Sequence, residues 1–259
     1  MNNLIFTAYA EDCTLGHTPK TDVYLQNACC CLLSAKKHNP NDTVALVTNV
    51  QIPISYEGVL KEADVEIFIK PFDTFHLQDG SKWCFAFYKL CALLHMVKEN
   101  LYDKLLLLDT DVITFGSYRQ LWQEAEVYLL LHQVVHHYDN VNEGIMRQEL
   151  KQILNMEHCI HWGGEFACGK TELLKKVLDD ALQLFAQMMA GGIYTTRGDE
   201  FIWTAALCGY PVKSAVAYID RCWTGKDYYF VSTHAFYLEL LRCICLMRKT
   251  EEFCVCIKS

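Results

Sequence analysis

Four consecutive leucines, Leu105 to Leu108, followed at once by Asp109-Thr110-Asp111, constrain this chain more than any other stretch. A strand that is apolar on both faces must be covered on both faces. That is the condition of a parallel sheet flanked by helices, not of a half-exposed hairpin. Polarity changes abruptly where the leucines end, and in open α/β sheets ligands gather beyond the carboxyl ends of the strands. Two carboxylates one residue apart at such a place can hold a hard divalent cation, which can in turn hold a diphosphate. They can equally do no more than solubilise the strand end or cap the next turn.

The surrounding pattern extends the α/β reading. Residues 4–8 form a short apolar strand, 24–37 a helix halted at His38-Asn39-Pro40, and 43–48 a second strand. A short helix is expected over 56–62, a third strand over 65–69 and a helix over 83–98, leading into the leucine strand. Strands and helices alternating at this spacing predict a doubly wound, mainly parallel sheet in the first half. The second half is less regular. Strands are expected at 126–131, 160–168 and 212–219, and a loop-rich stretch with a helix over 134–155. An amphipathic helix over 171–189 ends at Gly191-Gly192, and a short helix follows over 199–207. There is no Pro/Gly/Ser-rich linker and no repeat, so a single domain over 1–259 is expected.

Composition narrows the functions. A hydrophobic share of 52% in 259 residues supports a substantial core, and a net charge of −8 with no basic stripe excludes a nucleic-acid phosphate binder. A small anionic substrate stays open if a metal supplies positive charge locally. No basic segment precedes a long apolar run and no window is apolar enough to span a bilayer, so a cytoplasmic protein is expected. Residues 235–247 read as an amphipathic helix that packs on the domain or meets a membrane surface or partner; self-association is also open. The 14 cysteines include Cys29-Cys30-Cys31 and the C-x-C pairs Cys243/Cys245 and Cys254/Cys256. None has structural-zinc spacing, so buried free thiols are expected.

Polar clusters recur at strand ends and helix starts. Thr7 and Ala8 stand at the carboxyl end of the first strand, and Tyr24 opens the next helix, where an aromatic can stack on a base or merely pack. Lys89 lies on the helix before the leucine strand. Gly163-Gly164-Glu165 would let a ligand approach the backbone, or mark a bulge. Gly198-Asp199-Glu200 opens a helix with Asp199 suited to an N-cap. His234 stands before the last helix, placed to act as a nitrogen ligand.

Together these blocks resemble the glycogenin-like retaining glycosyltransferases, family 8, of GT-A fold. IFTAYA with YLQNACCCLLSAKKHNPNDTVALVTN is similar to that family's opening strand, helix and second strand. FYKLCALLHMVKENLYDKLLLLDTDVITFGSYRQLW is similar to its central Asp-x-Asp block. HWGGEFACGKTELLKKVLDDALQLF resembles the sugar-pocket strand and helix, and GDEFIWTAAL its Asp-Gln helix. The chain reads Trp162-Gly163-Gly164 where the family has Asn-Ser-Gly, Glu200 where it has glutamine, and Ala235-Phe236-Tyr237 where Gly-x-x-Lys-Pro-Trp follows the histidine.

The resemblance implies a GT-A domain with a nucleotide-binding half to about residue 115 and a smaller, mixed acceptor-side half beyond it. It implies that Asp109, Asp111 and His234 hold Mn²⁺ or Mg²⁺ against the diphosphate of a UDP-sugar, Thr110 lying between the two aspartates. Thr7, Ala8 and Tyr24 would line the uridine site and Lys89 would reach the phosphates or sugar. Gly164 and Asp199 would border the sugar, with Asp199 and Glu200 as the catalytic carboxylates. The implied activity moves a hexose to a saccharide, lipid-linked or protein acceptor. Two other readings stand beside it. One is a haloacid-dehalogenase-type phosphatase with Asp109 as nucleophile, although that motif normally ends a first strand. The other is a catalytically inactive nucleotide-binding module.

Overall fold

Among the described residues, seven strands share one sheet in the order β3-β2-β1-β4-β6-β5-β7: β1 Asn3–Tyr9, β2 Thr43–Thr48, β3 Glu66–Ile69, β4 Lys104–Leu108, β5 Leu129–Gln133, β6 Trp162–Lys170 and β7 Val212–Ser214. The computed structural model describes residues 2–11, 19–75, 84–134, 140–157 and 159–219. β1 to β4 run parallel, as do β5 and β7, while β6 is antiparallel to both its neighbours. The protein is therefore mixed α/β, with a mainly parallel, Rossmann-like sheet.

Helices cover both faces. On one, α1 (Pro19–His38), α2 (Ile54–Glu62) and α4 (Arg119–Glu124) bury Leu25, Leu32, Leu60 and Trp122 against Ile5, Leu46, Leu106 and Leu108. On the other, α3 (Tyr88–Glu99), α5 (Asn140–Leu154), α6 (Thr171–Ala190) and α7 (Asp199–Ala206) bury Leu94, Met146, Leu178 and Phe201 against Phe6, Val47, Leu105 and Leu107. The leucines of β4 thus alternate between two cores and are all buried, each contributing roughly 2 kcal/mol of apolar transfer. Among the described residues no helix is long and apolar enough to cross a membrane.

The expected elements recur with shifted bounds, and the shifts have local causes. The helix expected from residue 83 begins as a 3-10 turn, Cys84–Phe87, before α3, which ends at left-handed Asn100. α4 replaces part of what reads as a turn and delays β5 to Leu129, because Leu121 and Trp122 dock in the core. α6 ends at the glycine pair, where Gly192 (φ 63°) is the left-handed residue. The strand expected over 212–219, β7, covers only Val212–Ser214. His234 and residues 235–247 lie outside the described residues.

The amino end of β4 carries a buried lysine, and its partner is instructive. Lys104 stands opposite Lys170 in the β4–β6 register, an unfavourable cross-strand pair on its own. Glu126 bridges them, pairing with Lys104 and lying 2.7 Å from the Lys170 ammonium. Hydrogen bonds from Lys104 and Lys170 hold the Glu126 carboxyl down at about 2. A depressed carboxylate stabilises the fold above its ordinary pKa, and that contribution disappears as pH falls through the folded value. Glu126→Gln is expected to melt below the wild type at pH 7. The gap should close between pH 4.5 and about 2, as read from melting curves across that range; a gap independent of pH would refute the bridge.

Candidate functional site

Four separated segments meet at the carboxyl end of β4. Asp109 extends the β4–β6 pairing by one residue, its N–H donating to the Glu165 carbonyl (2.9 Å). The chain then turns: Thr110 N–H donates to Asp109 Oδ1 (2.9 Å) and Val112 N–H to the Asp109 carbonyl (3.2 Å). The other Asp109 oxygen faces Lys89 of α3 (Nζ–Oδ2 3.0 Å). Lys89 also lies 3.3 Å from Asp199 Oδ2, at the first turn of α7. One buried ammonium thus joins an aspartate at a strand end to an aspartate 90 positions later.

Gly164 permits this arrangement. A Cβ there would sit 2.4 Å from Asp199 Oδ2 and 3.1 Å from the Lys89 ammonium, so any larger residue would displace the pair. α7 docks on the start of β6 through residues one helical turn apart. Glu200 Oε1 accepts from Gly164 N–H (3.4 Å), and Thr204 Oγ1 accepts from Trp162 N–H (3.1 Å). Glu200 Oε2 meets His161 Nε2 at 2.9 Å. Asp199 is not the N-cap; Gly198, at φ 63°, takes that place, which leaves the Asp199 carboxylate turned to Lys89.

The electrostatics follow from burial. Burial alone would push the Lys89 ammonium towards neutrality, but Asp109 and Asp199, with the hydrogen bond to Asp109 and the charge of Glu200, outweigh it and hold Lys89 above its ordinary value. Burial raises the Asp199 carboxyl to about 6 against the pull of Lys89, and Glu200 and Asp109 add to the rise. Asp111 is open to solvent on one side. Crowding by the protein on the other, followed by the charge of Asp109, raises its carboxyl as well. Among the described residues no group of three His, Cys, Asp or Glu side chains is placed to hold a metal.

The nucleotide-side candidates are more dispersed. Thr7 pairs with Leu108 across β1–β4, one residue short of Asp109, but it is fully buried and its hydroxyl has no partner among the described residues. Ala8 is half-buried, and Tyr24 is largely exposed on α1. The loop after β1 is latched to the end of β2 by a reciprocal pair, Glu11 N–H to Asn49 Oδ1 (3.0 Å) and Asn49 Nδ2 to the Glu11 carbonyl (2.9 Å). Cys31 lies in the core beneath the Asp pair. Burial, then Asp109 and Asp111, raise its thiol well above the usual range, so it is an inert packing group. Cys29, Cys91 and Cys168 are likewise buried and free.

Sequence reasoning passed over His161 and His132, and named Glu165 only as part of the Gly163-Gly164-Glu165 cluster. His132 Nδ1 lies 2.6 Å from Glu165 Oε1, an apposition made by the β5–β6 pairing. His161 finds Glu200 only because α7 folds back on β6. Each histidine precedes or ends a strand, which was the one signal available.

A cavity of about 380 Å³ lies at the opposite end of the sheet, lined by Asn3, Asp42, Lys104 and Trp122 among others. Its polar groups largely satisfy each other: Trp122 Nε1 and Asn3 Nδ2 both donate to Asp42 (2.7 and 3.1 Å). It is a joint between α1 and α4. No protein-family model matches the chain, and no curated protein matches it.

Proposed function

We propose that the chain is a metal-dependent retaining glycosyltransferase of GT-A type, which moves a hexose from a UDP-sugar to a hydroxyl of a saccharide, lipid-linked or protein acceptor. The observation that carries this reading is the meeting of Lys89, Asp109, Gly164 and Asp199 at the carboxyl end of β4. These residues come from three blocks of the sequence, Lys89 and Asp109 sharing one, and each block resembles the same family. A reversed strand within a mainly parallel sheet agrees with a nucleotide-side half joined to a mixed second half.

Asp109 and Asp111 offer hard oxygen donors on one turn. Burial and then the charge of Asp109 raise the Asp111 carboxyl, and a Mn²⁺ or Mg²⁺ ion would relieve the repulsion in the second of these. The proposed ligands are Asp109, Asp111 and His234, of which His234 lies outside the described residues. When bound, the ion stabilises charge on the diphosphate leaving group.

The chain's own side chains do the rest. Lys89 keeps Asp199 and Asp109 in fixed positions and supplies positive charge beside the diphosphate. In the transfer, the bond from the anomeric carbon to the β-phosphate oxygen breaks and an acceptor hydroxyl forms the new bond on the same face. The hydroxyl's proton passes to the departing phosphate. Asp199 and Glu200, fixed by Lys89, His161 and Gly164, orient the sugar hydroxyls and stabilise positive charge that develops on the ring. The backbone at Thr7 and Ala8, with Tyr24, receives the uridine.

Thermal denaturation with UDP, ADP and GDP, and with their glucose conjugates, with and without Mn²⁺, tests this reading. Selective, metal-dependent stabilisation by the uridine series is expected. At ligand a hundredfold above Kd this amounts to about 2.7 kcal/mol, or a shift of several degrees. No shift with any nucleotide in the presence of Mn²⁺ overturns it.

A further inference from the structure

Glu200 is held more tightly than a solubilising residue at a helix start needs to be. One oxygen accepts from the Gly164 backbone N–H (3.4 Å) and the other meets His161 Nε2 (2.9 Å). The His161 side chain is 5% exposed, so the clamp is anchored inside the protein, while Glu200 is 22% exposed and still within reach of a ligand. An ionised carboxylate only accepts, so Nε2 carries the hydrogen. His161 Nδ1 is buried without a partner among the described residues, so the Nε2 contact to Glu200 is the polar contact that orients the ring.

The preceding residue, Asp199, is a second acceptor on the same first turn of α7, and its carboxylate packs directly against Gly164, where only a glycine leaves it room. Lys89 is the ammonium at the centre, and Asp109, Asp199 and Glu200 all draw on its charge. A group that reaches Glu200 therefore meets a fixed carboxylate, with the charge of Asp199 close behind it and their shared cation already committed.

We propose that Glu200, positioned by His161, is a specificity-determining residue that restricts the transferred sugar to neutral, hydroxyl-rich hexoses and rejects uronic acids. This rests on the glycosyltransferase reading above. Sugar hydroxyls are donors and suit two acceptor-only carboxylates. A sugar carboxylate adds a third anion at close range in a partly desolvated site, where like charges a few ångströms apart cost far more than in water.

The test compares the affinities of the full chain for UDP, UDP-glucose and UDP-glucuronate in Mn²⁺, by titration at low and high salt. UDP-glucose is expected to bind at least about tenfold more tightly than UDP-glucuronate, with the ratio shrinking as salt rises. Glu200→Gln is expected to bring the ratio down at least about threefold, and the ratio serves as its own control for any general loss of affinity. If UDP binds but the uronate binds as well as the hexose, the selectivity inference falls and the transferase reading stands. If the ratio is large but indifferent to Glu200→Gln, Glu200 is not its origin. If UDP itself does not bind, the underlying reading falls and takes the inference with it.

Discussion

Replacing Asp111 by Asn is expected to abolish Mn²⁺-dependent hydrolysis of a UDP-sugar, by at least about a hundredfold, while leaving the fold intact. Removing a group that stabilises charge developing in a transition state typically costs that much. The structural side of the expectation is equally definite. Asp111 is open to solvent, and its carboxyl is raised by crowding and by the charge of Asp109, so neutralising it removes a repulsion. The melting temperature should stay within about 2 °C of wild type, as for surface substitutions that break no specific contact. Unchanged turnover would sink the metal assignment. A melting temperature many degrees lower would make Asp111 a structural residue instead.

Lys89→Met should show the opposite profile, a large loss of stability with a pH signature. The substitution leaves Asp199 buried and Asp109 partly buried with no ammonium between them. Breaking a buried pair from one side costs about 3–5 kcal/mol. Asp109 is 32% exposed, so its share is screened and about 3 kcal/mol at pH 8 is expected.

The sign with pH follows from Asp199, whose folded carboxyl is raised from 3.8 to about 6. Between those values the native state holds a proton that the unfolded chain has lost, so stability falls as pH rises, and above 6 the cost is fully present. Without Lys89 the upper edge of that window moves higher. Acidifying from pH 8 to pH 5 should therefore recover a sizeable part of the variant's deficit, measured by denaturant unfolding at both values. A deficit that does not change with pH would mean that Asp199 is not the uncompensated charge.

The parts of this molecule legible in its sequence are those with local causes. The four leucines of β4 announce a strand covered on both faces, and it lies between two cores. The periodicity of α1, α3 and α6 announces helices, and Gly191-Gly192 the end of the last. The direction of β6 could not be read, because alternation of side chains is the same whichever way a strand runs. α4 was masked by its shortness, since six residues carry too few turns to establish a period. In the site, Lys89, Asp109 and Asp199 stood out singly as residue types at strand ends or helix starts. Their union through one ammonium is a product of packing between α3, β4 and α7. The His161–Glu200 and His132–Glu165 pairs are of the same kind, since each joins residues more than 30 positions apart.

The reversal of β6 has a consequence for how such a protein can diversify. In a parallel strand the residues at the site follow the strand, so a change of length there propagates into the helix that comes next. In β6 they open it: Gly163 and Gly164 come first, and the register with β4 follows in the pairs from Leu108↔Phe166 to Lys104↔Lys170. Changes of length before His161 therefore leave the pairs from Leu108↔Phe166 to Lys104↔Lys170 in place. At this end of the sheet, the approach to β6 is the segment whose length is freest to vary.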